Sequence, residues 1–203
     1  MLIELGYFPP VAHFGLFRAS NDIWIEEWEH YQKNSYRNRC YIATSREVLR
    51  LTVPLQKGKH EQQPVRDVRI SYDTPWQRQQ RQSIVSAYGK APFFLDYEQE
   101  ILPFFDKKYI FLFDMNWEIF EKINGLLGIE TPFYRTQKYE PTELMATDWR
   151  NKIKPNEAAE NYFYWSAYPQ IFETVHGFLP NLSILDLLFC TGPEALSYLP
   201  ELK

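Results

Sequence analysis

Cysteine is nearly missing from this chain. Cys40 and Cys190 are the two present, far apart and without CxxC spacing, which argues against a disulfide framework and a structural zinc. Reduced, buried thiols in a cytoplasmic protein are the reading that remains. Glycine is sparse too, and none of the 8 glycines builds either common phosphate-binding loop. The histidines, His13, His30, His60 and His176, lack ligand spacing, so no metal is expected. No apolar run approaches the roughly 20 residues of a membrane helix. Met1-Leu2-Ile3 leads directly into Glu4 without the basic start and apolar stretch of a signal peptide. An excess of positive charge is also absent: the formal net charge is -4. That balance gives no electrostatic footprint for nucleic acid or an anionic membrane. The expected partner is therefore a small molecule, with neither nucleic acid nor membrane involved, and no cofactor is implied.

Aromatic side chains are abundant, with 14 Tyr, 15 Phe and 6 Trp in 203 residues. They supply a sizeable core and also suit sugar or nucleobase pockets. The length and the lack of repeats or linkers indicate a single domain over residues 1–203.

Hydrophobic patterning predicts a strand over Leu2–Tyr7, a helix over Val11–Ala19 and a strand over Asp22–Trp28. A strand-helix-strand opening favours a parallel pair in an α/β fold with a mixed sheet and flanking helices. Tyr36–Thr44 and Val48–Leu55 read as a hairpin, and Val65–Ser71 as a further strand. Helices are expected over Trp76–Tyr88, Phe93–Phe105 and Phe111–Leu127, the last stopped by Gly128. Thr131–Thr136 reads as a last strand, and Gln137–Phe178 as irregular. Ser183 with Asp186, and Thr191 with Glu194, each fit a capping box, predicting two short C-terminal helices.

The densest chemistry lies in Glu29-His30-Tyr31-Gln32-Lys33-Asn34-Ser35-Tyr36-Arg37-Asn38-Arg39. Polar and charged groups cost free energy when buried unpaired, so their concentration between aromatic segments suggests the wall of a ligand site. On a strand, Arg37 and Arg39 share a face, a fork suited to a carboxylate or phosphate. Salt bridges to Glu26, Glu27 or Glu29 are the structural alternative. His30 is a candidate general base with Glu29 as orienting carboxylate, although neighbours on a strand face opposite ways. His176, before Gly177, is a second candidate. Tyr7, Lys33 and Asn38 complete the candidate binding set with the two arginines. Ligands in open α/β sheets sit beyond strand C-terminal ends, which points to the turn at Tyr7-Phe8-Pro9-Pro10. Asp186 has a structural explanation as a capping acid, and Cys40 as an inert core thiol.

Several of these segments resemble the WbqC-like protein family, bacterial proteins often encoded among surface-polysaccharide (O-antigen) genes. The carriers are Tyr7-Phe8-Pro9-Pro10, Tyr36-Arg37-Asn38-Arg39, Leu51-Thr52-Val53-Pro54-Leu55, Tyr88-Gly89-Lys90-Ala91-Pro92-Phe93-Phe94, Asn116, and Phe178-Leu179-Pro180-Asn181-Leu182-Ser183-Ile184-Leu185-Asp186-Leu187-Leu188-Phe189. They run in order along nearly the whole chain. The resemblance implies a transferase of surface-glycan biosynthesis that places a small acyl or aminoacyl group, glycyl among them, on an amino sugar. It brings no catalytic residues with it. The alternative is a non-catalytic module binding a carboxylate, a nucleotide sugar or a protein partner.

Overall fold

The computed structural model describes residues 1–141 and 147–203. β1 (Leu2–Ile3) and β2 (Ile23–Ile25) pair in parallel, Leu2 opposite Trp24 and Ile3 opposite Ile25. The crossover between them carries helix α1 (Val11–Arg18), as a parallel pair requires. β5 (Phe133–Arg135) joins β2, also in parallel, giving the order β1-β2-β5. Asp148 lies along the outer edge of β1: Leu2 N–H donates to Thr147 O (3.0 Å) and Trp149 N–H to Leu2 O (2.8 Å).

The strands are shorter than the sequence pattern suggests. β2 ends because the Glu26 carboxylate accepts the Trp28 N–H at 2.8 Å, turning the chain just after Ile25. Past β1 the chain leaves the sheet, and Tyr7 N–H donates instead to Tyr36 O at 2.9 Å.

β3 (Arg39–Ala43) and β4 (Val48–Thr52) form the expected antiparallel hairpin, but β3 begins three positions late. Tyr36–Asn38 is one 3-10 turn, with Ser35 Oγ accepting the Arg37 N–H. Arg37 is therefore off the strand and shares no strand face with Arg39. Val65–Asp67 is likewise a 3-10 turn rather than a strand. Single bridges, Leu55 to Ile70 and Arg69 to Phe111, are what remains of pairing there.

Helices α2 (Trp76–Tyr88) and α4 (Leu112–Leu127) match expectation. Leu112, Met115, Ile119 and Ile123 are fully or almost fully buried, and Gly128 at φ +67° ends α4. α3 (Phe94–Ile101) stops where Pro103 converts the chain to a 3-10 turn, Leu102–Phe105. The expectation of irregular chain across 142–146 lies outside the described residues. Elsewhere in that stretch lie β6 (Phe163–Tyr164) and the one-turn helix α5 (Glu173–His176). β6 pairs antiparallel with β7 (Glu201–Leu202).

Every residue of α6 (Ile184–Thr191) is buried. Ser183 Oγ accepts the Leu185 N–H at 3.4 Å, as an N-cap does. Asp186 does not close the capping box. Its carboxylate points inward and accepts Tyr88 OH, Tyr168 OH and Gln170 Nε2, each at 2.8 Å. The second capping box does not form either, because Thr191 Oγ1 donates back to Leu187 O at 2.7 Å. Gly192–Tyr198 is a 3-10 segment. Gly192 has φ +56°, and a Cβ there would stand 2.4 Å from the Phe93 ring. No other residue fits both demands.

Two of the sequence motifs lock together. Pro10 offers α1 no side-chain cap, and Asn181 Oδ1 from the closing motif accepts the Ala12 N–H at 3.0 Å instead. Ser183 Oγ donates to Phe8 O and Ile184 N–H to Pro9 O, both at 2.9 Å.

A carboxylate-rich cleft beyond the parallel strands

Glu4, Glu26 and Thr136 each follow the last residue of a parallel strand. Glu26 is fully buried and its carboxylate ties this end of the sheet together. Oε1 accepts Thr136 Oγ1 (2.9 Å), and Oε2 accepts the Glu140 N–H (2.9 Å) and Arg150 Nη1 (3.2 Å). Arg150 in turn donates from Nε to both Asp148 oxygens at 3.1 Å, and from Nη2 to Asp148 Oδ2 at 2.6 Å and to Glu140 O at 2.8 Å. Such charge-assisted contacts are the strong kind, and here they hold the loop after Asp148 against the strand ends.

Over this frame opens a cleft of about 670 Å³, lined by Trp28, Glu29, His30, Gln32, Tyr139, Asp148, Arg150, Asn151 and Lys152. Glu29 is its buried charged wall. Arg37, wholly inaccessible to solvent, donates both Nε and Nη2 to one oxygen of that carboxylate, Oε1. Burial pushes the Glu29 carboxyl up to about 7; Arg37 pulls the other way, and Glu4 adds to the rise.

Behind Glu29 the polar groups continue inward. Glu4 Oε2 accepts the Asn151 N–H at 3.0 Å, and Glu4 Oε1 lies 3.8 Å from His13 Nε2. Burial lowers the His13 pKa, although Glu4 acts to raise it, so the ring is neutral near pH 7. Asn116 Nδ2 donates to Arg37 O at 2.7 Å. Among the described residues, Glu4 Oε1, Arg37 Nη1 and Asn116 Oδ1 are buried without a hydrogen-bond partner.

The candidate site residues disperse. His30 is exposed and lines the cleft beside Glu29; its backbone bridges Pro64. Arg37 is committed to Glu29, the salt bridge that was its alternative. Arg39 is half-buried and donates to Asn34 Oδ1 at 3.4 Å. Asn38 is buried between Val53 O (3.0 Å) and Tyr31 OH (2.9 Å). Tyr7 OH, also buried, donates to Gln80 Oε1 at 2.7 Å. Lys33 is exposed and paired with Glu61 at 3.0 Å. His176 Nε2 lies 2.8 Å from Thr44 O at the hairpin turn, outside the cleft lining. Both cysteines are buried and free, and burial raises both thiol pKa values, that of Cys190 to about 12. Neither is a ready nucleophile.

Sequence reasoning missed Glu4, Glu26, Asp148 and Arg150 as site residues. The first two carried a signal: each is the acid that closes a short apolar run, Leu2-Ile3 and Ile23-Trp24-Ile25. Asp148 and Arg150 carried none, because nothing local places them against β1. Among the described residues, no group of His, Cys, Asp and Glu side chains is arranged to hold a metal ion. No helix among them is long and apolar enough to cross a membrane.

Fold and site together define a mixed α/β domain with a polar, carboxylate-lined cleft beyond the C-terminal ends of a small parallel sheet, the usual place for a ligand in such sheets. The chain belongs to the WbqC-like protein family, whose sequence profile matches residues 6–167. It is also 25% identical over 222 residues to the uncharacterised protein Rv1507c of Mycobacterium tuberculosis, an alignment covering 98% of this chain and 96% of that protein. The closing motif from Phe178 lies beyond the profile match but within the reach of that relative. No solved structure matches the chain.

Proposed function

We propose that the cleft receives an amino sugar, and that the protein transfers a small acyl or aminoacyl group, such as glycyl, onto its amine during surface-polysaccharide biosynthesis. The observation that carries this reading is the convergence of Glu29, His30 and the Asp148–Arg150 pair on one cleft beyond the strand ends. Trp28 and Tyr139 add aromatic surface of the kind that sugar rings lie against. Arg37 is turned inward onto Glu29 and does not itself reach the ligand, while Arg150 and Lys152 are the cations that line the cleft.

In the proposed reaction the sugar ammonium first gives one proton to water, and the neutral amine nitrogen then attacks the carbonyl carbon of an activated ester. The N–C bond forms, the bond to the leaving group breaks, and the proton lost from nitrogen leaves with that group through His30. His30 suits this role because it is exposed in the cleft lining next to Glu29.

The test is turnover: the full chain, a nucleotide-linked amino sugar and an acyl or aminoacyl thioester, with the product read by mass spectrometry. An N-acylated sugar formed only with protein is the expected result. Saturable binding of the amino sugar without product, across a panel of acyl donors, would replace the enzyme by a binding module.

A further inference from the structure

The charges around the cleft are unevenly committed. Asp148 gives both oxygens to Arg150, and Arg150 divides its donors among Asp148, Glu26 and Glu140 O. Lys152 Nζ sits over the Trp149 ring, 4.9 Å from its centroid. Glu29 differs from all three. Both bonds from Arg37 fall on Oε1, and among the described residues nothing hydrogen-bonds Oε2. That oxygen belongs to the carboxylate that lines the cleft.

Arg37 cannot follow Glu29 outward. Its backbone is pinned on both sides, by Ser35 Oγ accepting its N–H at 3.4 Å and by Asn116 Nδ2 on its carbonyl at 2.7 Å. A carboxylate braced in this way has its second lone-pair face aimed in advance, the preorganisation a binding group needs. The surrounding charge favours a cation. Above pH 7, where Glu29 is ionised, the described residues place Glu4, Glu26, Glu29 and Asp148 buried around the cleft against two buried guanidiniums, Arg37 and Arg150, with Lys152 an exposed cation in the lining and the His13 ring neutral. An incoming ammonium offsets part of that excess, whereas an incoming carboxylate or phosphate adds to it.

We propose that Glu29 is the ammonium-recognising carboxylate of this cleft. Oε2 is the contact atom, Arg37 is the positioning residue behind it, and the ligand is a sugar bearing a free primary amine. The inference rests on the reading of the cleft as an amino-sugar site, and it concerns binding alone.

The experiment is an NMR titration of the full chain with glucosamine, N-acetylglucosamine and glucose at one fixed pH just above 7, where Glu29 is ionised. Glucosamine is expected to bind at least tenfold more tightly than the other two, and to move the side-chain carboxyl resonance of Glu29. In the double variant Glu29→Gln/Arg37→Met the preference should disappear. Removing both charges leaves neither one buried alone, so this variant keeps the fold more readily than Glu29→Gln. No preference in the wild type, or a preference that survives in the folded double variant, overturns the proposal. If the double variant fails to fold, a wild-type Glu29 resonance that stays still while glucosamine binds overturns it equally. Absent acyl transfer with the preference intact would sink the enzyme reading and leave Glu29 in place; turnover without the preference would do the reverse.

Discussion

Arg37 and Arg39 stand two positions apart, the spacing that aims two side chains the same way along a strand. The single 3-10 turn at Tyr36–Asn38 cancels that rule: one guanidinium is buried at Glu29 and the other stays half-exposed beside Asn34. The concentration of charge between Glu29 and Arg39 was legible in the sequence. Which charges would pair was not, because the turn is held by Asn116, far along the chain, as well as by the local Ser35. Two predictions belong at this scale. Arg37→Ala leaves Glu29 buried without its cation and should cost about 3–5 kcal/mol, read from urea denaturation; a loss below about 1 kcal/mol would mean that the pair is solvated. His30→Ala, at an exposed position, should change stability by no more than about 0.5 kcal/mol. If His30 carries the amine proton, the same substitution lowers turnover by about 10²-fold or more. Unchanged turnover would remove it from the chemistry.

Elements were legible in proportion to how local their causes are. The closing helix is announced by a capping serine, an apolar run interrupted at Asp186 and a glycine stop, and α6 forms within those bounds. Helix α4 follows its three- and four-residue apolar spacing for the same reason. Strand lengths misled, because Glu26 ends β2 with a side-chain bond that no hydropathy pattern encodes. The capping-box reading of Asp186 failed through competition: two phenols and an amide, from α2 and from the segment before α5, outbid a local amide. Leu188 tests how far α6 supports the fold. It is fully buried, as is Leu185, so Leu188→Ala should cost roughly 2–5 kcal/mol. A loss under about 0.5 kcal/mol, the usual surface scatter, would place α6 outside the core. The loss is expected to reach α1 as well, since the start of α6 and the turn before α1 share the bonds at Phe8 and Pro9.

Across the whole molecule, the opening strand-helix-strand unit was legible. Its pairing with β5 and the placing of Asp148 on its outer edge were not, since both join segments more than a hundred positions apart. Long-range contacts also bury the titrating groups, at the sheet end for Glu29 and around α6 for Asp186, so pH dependence reports on the assembled fold. Glu29 moves from an ordinary value of 4.5 up to about 7 through burial. Between those values the folded chain holds a proton that the unfolded chain has lost. Its contribution to stability is therefore full below about 4.5 and disappears as pH rises through 7. Asp186, raised from 3.8 by burial against the pull of Tyr168, Tyr88 and Gln170, acts with the same sign. His13 acts oppositely: lowered from 6.5 by burial, it contributes stability above 6.5 that is lost as pH falls. Between about pH 4.5 and 6.5 the Glu29 and His13 contributions therefore oppose each other. Urea midpoints of the wild type should therefore change less from pH 5 to 7 than the Glu29 contribution alone would make them. Glu29→Gln/Arg37→Met removes the Glu29 contribution and leaves that of His13. Its stability should rise relative to wild type over the same range, by up to about 1.4 kcal/mol per pH unit. Parallel curves for the two proteins would show that Glu29 titrates as an ordinary carboxyl and is ionised across that whole range.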